Sequence, residues 1–291
     1  MPRAPKMLSV WWLILFIFLV IVIICVILAL WPAWGGGGGG GGVAIVAMIK
    51  DPKNLDTWLS RHRRIGIQHF FIRLEDSPDV QDYLNSQPDV TVIPGNSDGV
   101  NEYENIQTRQ INMVNDVLKI AAAHEKPKLA WLIHVDADEL VVGDLNALHQ
   151  QPHNVRTVWF QNVEAKFPDV PDEEDSCFDA AKFINCAEGG CAAYANGKSA
   201  GRVAPDVSAH GPHRMKSSMD GALDEKIDAI QVQHYESCDF DSYKKKFKNL
   251  AVQKDKEPSN IPFPYYNESI AAARTGDDDE LESVYRKYRV A

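Results

Sequence analysis

The apolar run Leu129-Ala-Trp-Leu-Ile133 breaks off into His134-Val-Asp136-Ala-Asp138-Glu139. A short β-prone run cut off by charge reads as a buried strand. On extended backbone, residues two apart leave the same side of the chain, so Asp136 and Asp138 are expected to point together. In an α/β sheet such a cluster lies at the carboxyl end of a strand, where ligands bind. Two converging carboxylates call for a cation, and hard oxygen donors suit Mg²⁺ or Mn²⁺ holding a diphosphate. A solvated acidic turn is the plain alternative.

What precedes this strand sets the fold class. Val43-Ala-Ile-Val-Ala-Met-Ile49 is apolar throughout, as a central parallel strand buried on both faces must be. Leu55, Trp58, Leu59, His62 and Ile65 then recur at spacings of three and four, which predicts a helix closed by Gly66. His69–Leu74 and Val90–Ile93 are further strands. A long helix carries Ile106, Met113, Val117 and Ile120 on one stripe, interrupted by Gln110. Strand and helix in alternation predict an α/β doubly wound, mostly parallel sheet with right-handed crossovers. Beyond residue 140 only 155–160 and 229–234 read as strands, and 239–252 and 277–288 as helices. No glycine-rich dinucleotide fingerprint follows the first strand, which counts against a nicotinamide or flavin domain, and no phosphate loop occurs, which excludes a P-loop kinase or nucleotidase.

Residues 8–34 are almost wholly apolar and uncharged, long enough to cross a lipid bilayer. Arg3 and Lys6 precede the run and no Lys or Arg follows until Lys50, which predicts a cytoplasmic tail over 1–7 and a type II anchor. The glycines ending at 42 read as a flexible tether, with one globular domain over 43–291. The chain's formal charge of −10 becomes −12 beyond the anchor once Arg3 and Lys6 are set aside, so nucleic acid is excluded as a partner. Cys177, Cys186, Cys191 and Cys238 can form two disulfides in three connectivities. Asn267-Glu-Ser269 is an N-glycosylation sequon.

Several pieces in order resemble GT-A-type glycosyltransferases of the family-2-like and family-92-like (domain-of-unknown-function-23-like) group. They are the strand ending in Lys50-Asp51-Pro52, Leu55–Leu59, Ile65-Gly-Ile-Gln-His-Phe-Phe-Ile72, the acidic loop Glu75–Asp79 and His134–Glu139. Tyr194–Val203, Ser208-Ala-His210 and Gln233-His234-Tyr235 with the lysine-bearing Ser242–Lys248 complete the set. Pro52 replaces the group's usual Glu, and Leu74-Glu75 a cleaner Asp. The resemblance implies a GT-A-like fold, a Mn²⁺ or Mg²⁺ ion, a nucleotide-sugar donor (a UDP-sugar in this group), a glycan or glycoprotein acceptor, and a Golgi or ER lumenal domain.

It further implies that Asp138 contacts the metal directly, while Asp136 contacts the ribose or reaches the metal through water. A late histidine would complete the site, with His210 and His234 as rivals. Glu75 and Asp76 are candidates for the nucleotide, although an Asx-turn capping the next helix explains Asp76 equally well. Lys198 would meet the diphosphate or cap a strand edge. His134 is expected to make a structural hydrogen bond. No general base stands out among Asp172, Glu173, Glu174, Asp175, Glu188 and Asp206. Two other classes stay open: a tethered carbohydrate-binding or scaffold protein without turnover, and a metal-dependent phosphohydrolase or nucleotidyltransferase.

Overall fold

The computed structural model describes residues 40–97, 103–169, 177–186, 190–252 and 263–291. Residues 8–34 lie outside these, and among the described residues no helix is long and apolar enough to cross a membrane. From Gly41 to Ala291 the chain forms one compact unit.

The first half is strand and helix in alternation: β1 (Gly42–Ile49), α1 (Leu55–Arg64), β2 (Ile67–Glu75), α2 (Gln81–Asn85), β3 (Val90–Gly95), α3 (Tyr103–Ala122) and β4 (Leu129–His134). These four strands are parallel neighbours in the order β3-β2-β1-β4. The run Val43–Ile49 earns its central place by feeding two cores at once. Ile45, Ala47 and Ile49 pack with Trp58, Leu59, Phe70 and Ile72 on one face, and Ala44 and Val46 with Phe71, Met113 and Val117 on the other. The polyglycine stretch does not end outside the sheet: Gly42 is the first residue of β1 and its N–H donates to the Lys128 carbonyl at 2.6 Å. A backbone donor beside an edge-free strand is satisfied by pairing, so this glycine belongs to the domain and not to the tether.

The remainder is β5 (Glu139–Gly143), α4 (Asn146–His149), β6 (Val155–Phe160), β7 (Asn162–Lys166), β8 (Lys182–Asn185), β9 (Lys198–Arg202), β10 (Val207–Ala209), β11 (Met215–Ser217), β12 (Leu223–Lys226) and β13 (Ile230–His234). Three helices, α5 (Phe240–Ala251), α6 (Pro264–Thr275) and α7 (Asp278–Arg289), end the chain. Strands β9, β6 and β12 extend the large sheet to seven strands, with β9 antiparallel to both β4 and β6. The architecture is thus mixed α/β around a large, mostly parallel sheet.

A second sheet, β5-β13-β7-β8, is what builds the far wall of the site. Its register sets His234 opposite Glu139 on β5 and Glu164 on β7. The apolar stripe of α1 holds β5 in place: Trp58 Nε1 donates to the Glu139 carbonyl at 2.8 Å, and His62 Nε2 accepts from the Val141 N–H at 3.0 Å. Helices α5 to α7 share an aromatic core of Tyr243, Phe247, Tyr265 and Tyr285. The cysteines pair as Cys177–Cys238 and Cys186–Cys191. The sequon lies within α6, and the Ser269 hydroxyl is buried between Tyr243 Oη at 2.6 Å and the Tyr265 carbonyl at 2.5 Å.

Candidate functional site

The two aspartates do not converge. Pairing with β1 ends one residue past β4, where the Val135 N–H donates to the Val46 carbonyl at 3.2 Å. The chain then turns, with the Glu139 N–H donating to the Asp136 carbonyl at 3.2 Å, so the extended geometry expected over 136–138 is replaced by a turn. The turn sets Asp136 against Lys198 and Gln110, and Asp138 against His234.

Asp136 joins a closed polar frame. Lys198 Nζ, fully buried at the start of β9, lies 2.5 Å from Asp136 Oδ2 and 3.2 Å from Glu139 Oε2. Gln110 Nε2 takes the other Asp136 oxygen at 2.7 Å, which explains the polar interruption of the α3 stripe. Glu139 accepts from the Asp136 N–H at 2.8 Å and from Tyr194 Oη. Burial opposes ionisation of Asp136, but the Lys198 charge and hydrogen bond override it and hold the carboxyl well below its usual range. Burial, reinforced by the Asp136 charge, pushes Glu139 up. Burial alone would depress Lys198, yet Asp136 and Glu139 keep it above an ordinary lysine. Lys198 is therefore the counter-ion of the frame, and neither a strand-edge cap nor an open diphosphate ligand.

Asp138 faces a second cluster. Its carboxylate, His234 Nε2 and a Glu236 oxygen lie within 4.8 Å of one another. His234 Nε2 is 3.7 Å from Asp138 Oδ2 and 3.8 Å from Glu236 Oε2. An octahedral ion with ~2.1 Å bonds sets neighbouring ligands about 3 Å apart and opposite ones about 4.2 Å apart, so this donor set fits Mg²⁺ or Mn²⁺ with small adjustments. Burial works against a charged His234, but the nearby Asp138 carboxylate, with Glu236, raises its pKa. Its ring stands edge-on to Tyr194, centroids 4.7 Å apart. Burial would likewise raise Glu236, but Lys246 at 2.6 Å, with His234 and Arg289, holds it at about 2. The cluster is anionic and already attracts cationic groups.

Two cavities meet here. One, of about 360 Å³, is lined by Lys50, Lys53, Asp138, Tyr235, Glu236 and Lys246. The other, of about 450 Å³, is lined by Asp136, Asp138, Tyr194, His213, His234, Glu236, Phe263 and Tyr266 among others. Asp138, Glu236 and Lys246 border both.

The other expected site residues lie elsewhere. His210 is exposed at the start of the β10–β11 turn, its N–H bonded to the Arg214 carbonyl at 2.8 Å, and it does not join the donor cluster. His213, three residues on, lines the larger cavity instead. Glu75 is buried, with Arg73 at 2.9 Å and Arg109 at 3.0 and 3.1 Å on its oxygens, which leaves it occupied by cations and not open to a nucleobase. Asp76, at φ +48°, binds Lys50 at 2.9 Å and the Ser97 hydroxyl, and these two bonds lower its carboxyl to about 2. His134 makes its structural bond through Nδ1 to the Pro212 carbonyl at 3.0 Å. Asp206 is clamped by Arg156 and Ser217, while residues 172–175 and 188 are outside the described residues. Glu236 and His213 were not singled out by sequence, and Tyr194 and Lys246 stood there only as members of longer segments. Glu236 carried a signal, standing two residues from His234 as Asp138 stands from Asp136, and Gln110 showed as the polar lapse in the α3 stripe.

No protein-family model matches this chain, and no curated protein matches it. Among solved structures, a crystal structure of HddC from Yersinia pseudotuberculosis is similar over 68% of this chain and 78% of that chain, with 10% identity and a TM-score of 0.29. A superposition that loose carries no statement about chemistry.

Proposed function

We propose that this chain is a metal-dependent glycosyltransferase with a GT-A-like fold, moving a sugar from a nucleotide-sugar, a UDP-sugar foremost, to a glycan or glycoprotein acceptor. The observation that carries the reading is the donor set Asp138, His234 and Glu236 on the ridge between two cavities of different character. Lys50 and Lys53 line the smaller cavity in solvent-exposed pairs with Asp76 at 2.9 Å and Asp239 at 2.6 Å, and a diphosphate suits them by exchange with those carboxylates. Tyr194, Phe263 and Tyr266 line the larger and suit the apolar face of a sugar. A divalent cation bound at the ridge supplies Lewis-acid stabilisation of the departing diphosphate. Asp138 and Glu236 hold that charge, His234 orients against Tyr194, and Asp136 with Lys198 and Glu139 keeps the turn rigid beneath them. In the same reading the domain works in the Golgi or ER lumen behind an anchor at 8–34.

The test uses the full chain in detergent, with UDP-glucose, UDP-galactose and UDP-N-acetylglucosamine, in Mn²⁺ and in EDTA. Binding and slow release of UDP are expected only with the metal. Asp138→Asn keeps shape but loses the charge, and should slow turnover on the order of 100-fold without shifting the melt. Metal-independent binding, or wild-type turnover in Asp138→Asn, would overturn the reading.

A further inference from the structure

His213 is the cavity residue whose chemistry is left open. Its Nδ1 lies 3.1 Å from the Gly197 carbonyl, and a carbonyl only accepts, so Nδ1 carries the proton and Nε2 keeps its lone pair. Gly197 fixes this arrangement: it sits at φ +63°, where a Cβ would run into the Phe160 carbonyl, and Asn162 Oδ1 accepts from its N–H at 3.1 Å. The imidazole lies against Tyr194, ring centroids 5.0 Å apart and planes tilted by 35°, so the ring is held on two sides. Burial, then the Lys198 charge, keeps its pKa at about 4, which leaves the ring neutral near pH 7.

Other acid–base groups on the described wall of that cavity are committed. Asp136 is held by Lys198 and Gln110, and Glu236 by Lys246 and Ser237. Asp138 and His234 belong to the cation cluster. Tyr194 Oη donates to Glu139. Burial, despite Lys246 beside it, keeps Tyr266 a protonated phenol and therefore a donor.

Resting on the glycosyltransferase reading, we propose that His213 is a catalytic residue whose Nε2 receives the proton of the acceptor hydroxyl. In the step, the acceptor oxygen bonds to the anomeric carbon and the bond from that carbon to the diphosphate oxygen breaks. The electron pair leaves on the diphosphate, and the hydroxyl proton passes to Nε2. Lys198, the nearby cation, favours handing that proton on to solvent once the diphosphate has gone.

The experiment uses the full chain with water as the acceptor, and whichever of the three UDP-sugars the wild type hydrolyses in Mn²⁺. His213→Asn places an amide N–H near the former Nδ1, preserving the bond to Gly197 while removing Nε2; His213→Ala opens a hole for added imidazole. Loss of a positioned base predicts hydrolysis on the order of 100-fold slower in both variants, with UDP-sugar affinity within about two-fold of wild type. Imidazole should restore a measurable part of the His213→Ala rate and none of the His213→Asn rate. Hydrolysis by His213→Asn within about three-fold of wild type would overturn the assignment, because a positioned base typically contributes on the order of 10²- to 10⁴-fold. Equal loss of rate and affinity without imidazole rescue would overturn it too. A wild type that neither binds nor hydrolyses any donor in Mn²⁺ would remove the glycosyltransferase reading itself, and this inference with it.

Discussion

Replacing Lys198 with Met keeps an unbranched stem of similar volume and deletes only the charge. In the folded protein that charge sits 2.5 Å from Asp136 and 3.2 Å from Glu139 with no exposure of its own. Removing one member of a buried ion pair leaves the others uncompensated and costs about 3–5 kcal/mol. For a domain of this size each kcal/mol shifts the melt by roughly 2–4 °C, so Lys198→Met should melt about 6–20 °C lower at pH 7.5. The sign of the pH dependence follows from Asp136. Its depressed carboxyl contributes stability above its ordinary pKa, lost as pH falls below it. The variant lacks that contribution, and its carboxylates regain neutrality by taking protons, Glu139 first because burial already raises it. The deficit should therefore be full at pH 7.5 and shrink towards pH 4. Urea unfolding followed by the fluorescence of the buried Trp58 and Trp131 measures it. Adding Glu139→Gln should recover about 1–2 kcal/mol, since one uncompensated charge is gone. A deficit under about 1 kcal/mol, or one unchanged down to pH 4, would refute the counter-ion role and free Lys198 for a ligand.

Two further outcomes follow from buried groups away from the ridge. His62 is fully buried as a neutral ring, with Nδ1 donating to the Trp58 carbonyl at 2.9 Å and Nε2 accepting from Val141, and burial lowers its pKa to about 3. Because the unfolded chain binds the proton more readily, stability is complete above pH 6.5 and falls as pH drops from there towards 3, by about 2 kcal/mol at pH 5. Urea midpoints of wild type should show this extra acid slope and His62→Gln should not; parallel slopes would exclude it. The sequon gives the other: Ser269 is closed in by Tyr243 and Tyr265, so the full chain purified from glycosylating cells should carry no glycan at Asn267 by mass spectrometry. Majority occupancy on a protein of unchanged melting temperature would show that α6 does not pack as described.

The parallel half of the sheet was readable because its periodicities are local. Val43–Ile49 is apolar at every position, as burial on both faces requires, and the α1 stripe from Leu55 to His62 repeats at helical spacing. Even the polar lapse at Gln110 was visible, although its partner was not. The short strands from 162 to 226 were illegible, because three to five residues carry too little pattern and their stability comes from neighbours distant in sequence. The site divides the same way. Sequence alone marked the acidic cluster after β4 and named Asp138 and His234. Only the fold separated Asp136 from Asp138, since a turn replaces the extended backbone on which their pairing was argued. Only strand register sets His234 opposite Glu139 and so delivers Glu236 to Asp138. Lys198 could have met a ligand or a carboxylate on composition alone; burial between two anions decided it, because a lysine out of water must find its counter-charge within the protein.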